Sequence, residues 1–178
     1  MMVSRRGNRM LNIAGAGHRN TEGTMLIDTE SRHGHHDAYH AYANPAALTW
    51  CLACGAVFER GEWRWAERPG EAVQALCAAC QRTRDGRPAG LVQIDGDFAR
   101  AHRDEIVALL QRCADQAKAQ RPQQRIMAVT DTAAGVQVAT TDSQLAHELA
   151  RRLQQTHRGE LKLHYSDAQV LLRAQWRR

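Results

Sequence analysis

The sequence predicts an α+β protein in which a small cysteine-framed segment precedes a domain of order α-β-β-α-β-β. Two C-x-x-C pairs, at 51–54 and 77–80, enclose a stretch with strand and turn residues. From Phe98 onward, helical spacing of apolar residues occurs twice, and a hairpin pattern follows each helical stretch. The 178 residues suffice for one ordinary domain or two small ones.

The paired cysteines predict a structural metal site. Two C-x-x-C turns can direct four sulfurs at one tetrahedral ion, and zinc prefers this ligand set. Gly55 follows the first pair, where a tight turn favours a residue without a Cβ. We therefore predict a four-cysteine zinc ribbon over residues 47–97, with Zn²⁺ as its cofactor and the ligands Cys51, Cys54, Cys77 and Cys80.

Thiol–disulfide redox chemistry is a competing interpretation of the first pair. Trp50 precedes Cys51, as a tryptophan precedes the C-x-x-C of thioredoxins. However, such a motif ends a buried apolar strand, whereas the stretch before Trp50 contains Asn44 and Pro45. The second cysteine pair also has no role in a thioredoxin site.

Trp63 and Trp65 flank an arginine within the insert between the cysteine pairs. In a zinc ribbon, aromatic side chains commonly pack over the small metal-centred core. They can also stack on bases or hold a protein partner, so both tryptophans are candidate partner-contact residues.

Positive charge is concentrated at two places in a chain of formal net charge +5. The excess lies in residues 98–178, and the densest local cluster follows the last paired cysteine: Arg82, Arg84 and Arg87. Arginine suits phosphate recognition through its planar fork. These arginines are therefore either phosphate contacts or partners for the acidic residues at 59, 62, 67 and 71.

Residues 98–178 predict a sheet covered on one face by two helices. Asp97 is a candidate N-cap for the first helix, and Thr141 or Asp142 for the second. Four strands in two hairpins fit a permuted ferredoxin-like plait with an antiparallel sheet. The uncovered face is a candidate RNA platform bearing Arg125, Lys162 and Arg173.

Residues 1–46 predict a disordered, basic and histidine-rich N-terminal arm. Its histidines, His33, His35, His36 and His40, either chelate a metal or belong to a solvated polar segment. No stretch has the apolar length of a membrane span or a signal-peptide core, so we expect a cytoplasmic protein with no membrane partner. No catalytic motif is present, and we expect neither enzymatic activity nor a small-molecule substrate.

Seven short motifs together resemble a family of small bacterial zinc-ribbon proteins, some linked by name to low-oxygen or stress loci. The motifs are Cys51-x-x-Cys54-Gly55, Trp63-Arg64-Trp65, Cys77-x-x-Cys80, Arg84-Asp85-Gly86-x-x-Ala89-Gly90, Thr140-Thr141-Asp142-x-x-Leu145-Ala146, Gly159-Glu160-Leu161 and Trp176-Arg177-Arg178. The family distantly resembles the N-terminal part of the archaeal and eukaryotic adaptor that escorts large ribosomal subunits from the nucleus. This resemblance, over residues 36–178, implies contact with the ribosome or RNA and zinc as scaffold.

Three functional hypotheses follow, of which the thiol–disulfide redox protein described above is the second alternative. The first is a non-enzymatic zinc protein that contacts ribosomal RNA or a ribosomal subunit, with a link to stress. The alternative is a protein-binding adaptor or regulator that touches no nucleic acid and presents Trp63 and Trp65 to its partner.

Overall fold

The computed structural model describes residues 27–28, 37–166 and 171–178; His33, His35 and His36 lie outside these ranges. Within them the chain forms mixed α and β structure with two sheets. The elements in chain order are β1 (Ile27–Asp28), α1 (His40–Ala43), β2 (Thr49–Cys51), β3 (Val57–Glu59), β4 (Glu62–Arg64), β5 (Val73–Ala75), α2 (Ala78–Asp85), β6 (Gly90–Asp95), α3 (Asp97–Ala101), α4 (Arg103–Gln120), β7 (Ile126–Thr132), β8 (Gly135–Thr140), α5 (Ser143–His157), β9 (Glu160–Ser166) and β10 (Leu171–Arg177).

The small sheet has the strand order β4-β3-β2-β5 and precedes helix α2. Its β3–β4 hairpin turns at Arg60 and Gly61, whose φ angles are 57° and 86°. Two successive positive φ angles are typical of the type I′ turn, which matches the twist of a two-residue hairpin. A small core forms beneath this sheet from buried apolar and thiol side chains, namely Cys51, Ala56, Phe58, Trp63, Cys77 and Ala79.

The large sheet has the order β1-β9-β10-β6-β8-β7. Burial alternates along its central strands, so one face packs against helices α4 and α5 and the other stays more open. Asp142, one of the two predicted candidates, is the N-cap of α5, because its carboxylate accepts a hydrogen bond from the Leu145 amide at 2.8 Å. Asp97 is not an N-cap as predicted but the first residue of α3, which follows Gly96. Leu149 and Leu153 of α5 and Trp176 of β10 lie at the centre of this core.

The large sheet differs from the expected four-stranded antiparallel arrangement. β6 runs parallel to β10, and β1 runs parallel to β9. Moreover, β6 includes the short run 91–94 that the sequence pattern assigns to the ribbon segment, yet it pairs with β8 and β10. The physical reason is burial: Val92 and Ile94 point into the helix-covered core, where both are fully buried. β10 folds back from β9 and pairs with the edge of β6 opposite to β8.

Residues 37–46, which composition assigns to the disordered arm, contain helix α1 and pack against α2. Arg82 is buried, donates to Asp37 Oδ2 at 2.5 Å and lies 4.3 Å from the centroid of the Tyr39 ring. The Tyr39 hydroxyl donates to Asp85 Oδ2 at 3.1 Å. A buried guanidinium requires a counter-charge, and Asp37 provides it. This need explains why order extends further toward the N-terminus than composition indicates.

Candidate metal centre and candidate nucleic-acid interface

The four paired cysteines converge at one point, as the sequence predicts. Their sulfurs all lie within 4.8 Å of one another, and the Cys54 and Cys77 Sγ atoms are 3.8 Å apart. Cys51 ends β2, and Cys77 is the residue immediately before α2. Gly55 has a φ angle of +78°, which a residue with a Cβ rarely adopts, so it permits the turn after Cys54. We refer to Cys51, Cys54, Cys77 and Cys80 as the cysteine cluster.

Every sulfur of the cysteine cluster accepts a hydrogen bond from nitrogen. The Cys77 amide donates to Cys51 Sγ at 3.3 Å. The Arg125 guanidinium serves the other three: Nη1 lies 3.3 Å from Cys80 Sγ, and Nη2 lies 3.2 Å from Cys54 Sγ and 3.5 Å from Cys77 Sγ. Donors of this kind stabilise thiolates rather than neutral thiols. These nitrogen donors therefore favour negative charge on the sulfurs.

The ionisation of the cluster is shared among its thiols because they are so close. The hydrogen bond with Cys77 is the main reason that the pKa of Cys54 lies far below its ordinary value. The hydrogen bond with Cys54 is, conversely, the main reason that the pKa values of Cys77 and Cys80 are raised. Burial lowers the pKa of Arg125, but the bond to Cys80 and the nearby sulfur charges outweigh burial and raise it. A metal ion held among the sulfurs would allow all four to ionise together.

This arrangement can hold a metal ion. Four soft sulfur ligands suit a tetrahedral metal, and all four cysteines are buried or half-buried. With four protein ligands, no coordination position is left for a reacting water or substrate. The residues present therefore fit a structural metal site rather than a catalytic one.

The two tryptophans of the insert have different environments. Trp63 is buried; its Nε1 donates to the Ala43 carbonyl at 3.0 Å, and its ring packs 5.6 Å from that of Phe58. Trp63 is thus a core residue and presents no ring to a partner, which corrects its assignment as a partner contact. Trp65 is 40 % exposed, and its Nε1 donates to the Lys118 carbonyl of α4 at 2.7 Å.

The arginine cluster after the last cysteine divides into one inward and two outward side chains. Arg82 is buried against Asp37 and Tyr39, so its guanidinium is not available for phosphate. Arg84 is exposed and forms an ion pair with Asp85 at 3.3 Å, and Arg87 is exposed. The acidic partners of Arg82 and Arg84 are therefore aspartates and not the glutamates of the insert.

Arg125 does not belong to the candidate RNA platform. Its side chain reaches the cysteine cluster and leaves Lys162 and Arg173 on the uncovered face of the large sheet. Sequence alternation could not reveal this, because Arg125 precedes β7 and its direction is set by the connection after α4. Its Nε donates to the Pro122 carbonyl at 2.6 Å, which fixes that direction.

The uncovered side of the large sheet forms a concavity of about 430 Å³, which we call the open face. Strand register places Arg173 opposite His164 and Gln175 opposite Lys162. Gln175, Gln93 and Gln137 are register neighbours across β10, β6 and β8, so they form one row of amides. Gln137 Nε2 donates to Gln93 Oε1 at 3.0 Å. The open face thus combines cationic groups at one side with amide groups across its centre.

The glutamine row is a feature that sequence reasoning missed. Each glutamine alternates with buried apolar residues, as Gln93 does between Val92 and Ile94, and that alternation indicates an outward position. The row itself depends on strand order, which alternation within one strand does not report.

None of the helices in the described part of the chain combines the length and the apolar character needed to cross a membrane. Comparisons of the chain with protein-family models, with curated proteins and with solved structures give no match.

Proposed function

We propose that the protein is a non-enzymatic zinc protein that binds RNA through the open face of its large sheet. Zinc is the metal we assign to the cysteine cluster, since it accepts four thiolates in a tetrahedron and has no redox chemistry of its own. The metal centre has a structural role, because it connects β2, the turn after it and α2 in a segment with a small apolar core.

Zinc content is the first expected result. Protein purified without added metal is expected to contain one zinc ion per chain and to be colourless, since a d¹⁰ ion in a thiolate site lacks visible absorption. Elemental analysis together with the visible spectrum measures this. Iron at the same stoichiometry, with visible charge-transfer bands, would contradict the assignment of zinc. Metal-free protein with one unusually acidic thiol would instead support the redox alternative.

The open face supports RNA binding through charge and geometry. Lys162 and Arg173 lie on adjacent strands beside His164, and a surface of this kind can follow a phosphate backbone. Lys162 Nζ forms an exposed ion pair with Glu160 at 2.9 Å, and a pair of this kind is weak enough for phosphate to replace. The amide row beside them offers donors and acceptors for base edges or for the 2′-hydroxyl. The observation that carries the proposal is this juxtaposition of cations and amides in one concavity of the uncovered sheet face.

Ribosomal RNA is the target we propose, because the bacterial family that the motifs resemble implies ribosome contact, and a link to stress belongs to the same proposal. By the same resemblance to the adaptor, we propose a ribosomal subunit as the binding partner. Co-sedimentation of the protein with purified ribosomal subunits at low salt tests this directly. Binding of a short RNA without co-sedimentation would restrict the function to RNA in general.

Replacing both Lys162 and Arg173 by alanine is expected to weaken RNA binding. The affinity for a fluorescein-labelled oligouridine, measured by anisotropy over a salt series, should become less salt-dependent. For single-stranded RNA, the slope of log affinity against log salt decreases by about 0.7 for each phosphate that the protein no longer neutralises. Arg112→Ala, on the exposed side of α4, is the matched control and should leave the slope unchanged.

Two outcomes of these measurements would count against RNA binding at the open face. If wild-type protein neither changes the anisotropy of oligouridine nor co-sediments with subunits at low salt, RNA binding fails. If the double variant and the Arg112→Ala variant behave alike, the open face is not the binding surface. Arg84→Ala with Arg87→Ala then tests the outward arginines that follow the last cysteine.

Exposed apolar side chains on the ribbon favour one second candidate, a protein-binding adaptor or regulator. Leu52, between the first two cysteines, and Val73 of β5 are each 54 % exposed, and Trp65 is 40 % exposed. Burial of such side chains commonly drives protein association. Partner binding of this kind would persist at salt concentrations that release phosphate contacts.

A further inference from the structure

Arg125 connects the large sheet to the cysteine cluster. We call the large sheet and the helices packed on it the large sheet unit. The Arg125 backbone belongs to this unit, since its amide donates to the Thr141 hydroxyl at 3.0 Å and its carbonyl accepts from the Thr141 amide at 3.0 Å. Its guanidinium, in contrast, contacts three sulfurs of the ribbon, a name we keep for the small sheet and α2 because β6 belongs to the large sheet. One residue therefore spans the junction between the two sheets.

Two further contacts join the same connection to the ribbon. The Gln123 side-chain oxygen accepts a hydrogen bond from the Ala79 amide, within α2, at 3.0 Å. The Lys118 carbonyl, near the end of α4, accepts from Trp65 Nε1 at 2.7 Å. The segment from Lys118 to Arg125 is thus the docking site of the ribbon, and Arg125 supplies its charged contact.

The charges explain why this contact depends on metal. Four thiolates around a divalent ion carry a net charge of about −2, and a guanidinium beside them offsets part of it. A metal ion would also hold the sulfurs of Cys54, Cys77 and Cys80 at the positions that the guanidinium bridges, and its removal would free them to move apart. A half-buried guanidinium that loses its acceptors is unfavourable, so the junction becomes weaker.

We propose that Arg125 is a positioning residue of the metal centre that couples metal retention to docking of the ribbon on the large sheet. The inference rests on the proposed metal-binding function and extends it to regulation of the same site. Coupling of this kind is reciprocal: docking strengthens metal binding as much as metal binding strengthens docking. Agents that remove metal would therefore release the ribbon from the large sheet, in addition to unfolding the two C-x-x-C turns.

Arg125→Gln tests the role of the guanidinium, because glutamine keeps polarity but provides neither charge nor a donor fork. We expect its zinc affinity, measured by competition with a chromophoric chelator, to fall about 10–100-fold. Arg125→Lys should lie between this variant and wild type, since an ammonium group cannot bridge three sulfurs in the same geometry. Arg121→Gln, exposed on the same connection, is the matched control and should bind zinc as wild type does.

Cobalt substitution gives a readout that a merely structural role does not move. Hydrogen bonds to thiolates lower the energy of the sulfur lone pairs, so their loss is expected to shift the sulfur-to-Co²⁺ charge-transfer band to longer wavelength in Arg125→Gln. Hydrogen exchange at the Ala79 amide, which donates to the Gln123 side chain across the junction, reports docking. Exchange should accelerate in wild-type protein on chelation, and in Arg125→Gln even with metal bound.

The outcomes separate the two proposals. If Arg125→Gln matches wild type in zinc affinity and in cobalt band position, the inference is wrong while metal binding stands. If affinity falls but exchange at the junction does not change, Arg125 tunes the metal without coupling it to docking, and the proposed coupling fails. If wild-type protein binds neither zinc nor cobalt, the proposed metal function itself fails.

Discussion

Cys77→Ser is expected to abolish stable zinc binding and to unfold the ribbon while the large sheet remains folded. Cys77 is fully buried and immediately precedes α2, and its amide donates to the sulfur of Cys51. A serine hydroxyl stays protonated at neutral pH and is a poor zinc ligand. Because structural zinc contributes about 10–16 kcal/mol to folding in small zinc domains, removal of one ligand takes away most of the stability of this segment.

Zinc per chain and a two-dimensional amide NMR spectrum measure this expectation. Resonances of the small sheet should lose dispersion, whereas those of the large sheet should keep it. Cys113→Ser is the control, since Cys113 lies on α4 outside the cysteine cluster and packs only partly against the large core. Wild-type zinc stoichiometry in Cys77→Ser would show that the ligand assignment is wrong.

Trp176→Ala is expected to lower the free energy of unfolding of the large sheet unit by about 3–5 kcal/mol. The Trp176 side chain is fully buried, and its Nε1 donates to the Arg158 carbonyl at 2.6 Å. Truncation leaves a cavity between β10 and the helices and also leaves that carbonyl without its donor. Such a decrease is a large part of the stability of an ordinary domain.

Urea unfolding followed by far-UV circular dichroism measures the change in midpoint. Gln175→Ala, at the neighbouring position on the exposed side of β10, is the matched control and should stay within about 0.5 kcal/mol of wild type. A shift in Trp176→Ala no larger than in this control would contradict the described core.

The metal site could be predicted because its information is local. Two C-x-x-C turns bring paired sulfurs together through backbone geometry alone, and the structure confirms that the pairs converge. Helix α5 was predictable for a similar reason: its apolar period and its Asp142 cap both lie within one short stretch. In these regions the residues that determine the structure are close neighbours in the chain.

The partner of β6 and the role of Arg125 could not be predicted, because both depend on distant residues. The alternation in β6 indicates a strand with one buried face but does not say which sheet it joins. Arg125 is one of many arginines in the sequence, and no residue near it indicates contact with the cysteine cluster. The cluster member nearest to it along the chain, Cys80, is 45 residues away. Strand order and the connection after α4 decide both.

The insertion of β10 between β9 and β6 has a consequence for how the chain folds. On the side facing β9, β6 pairs with β10. Helices α4 and α5 and the β7–β8 hairpin lie between these two strands in the chain, so a long loop must close before the pairing forms. Until then one edge of β6 keeps unpaired backbone groups that can join a strand of another molecule. Pairing of β6 with β10 within one chain therefore competes with pairing between two chains, and the rate of the latter rises with protein concentration. Refolding yield should therefore be limited by aggregation at this edge and should improve on dilution.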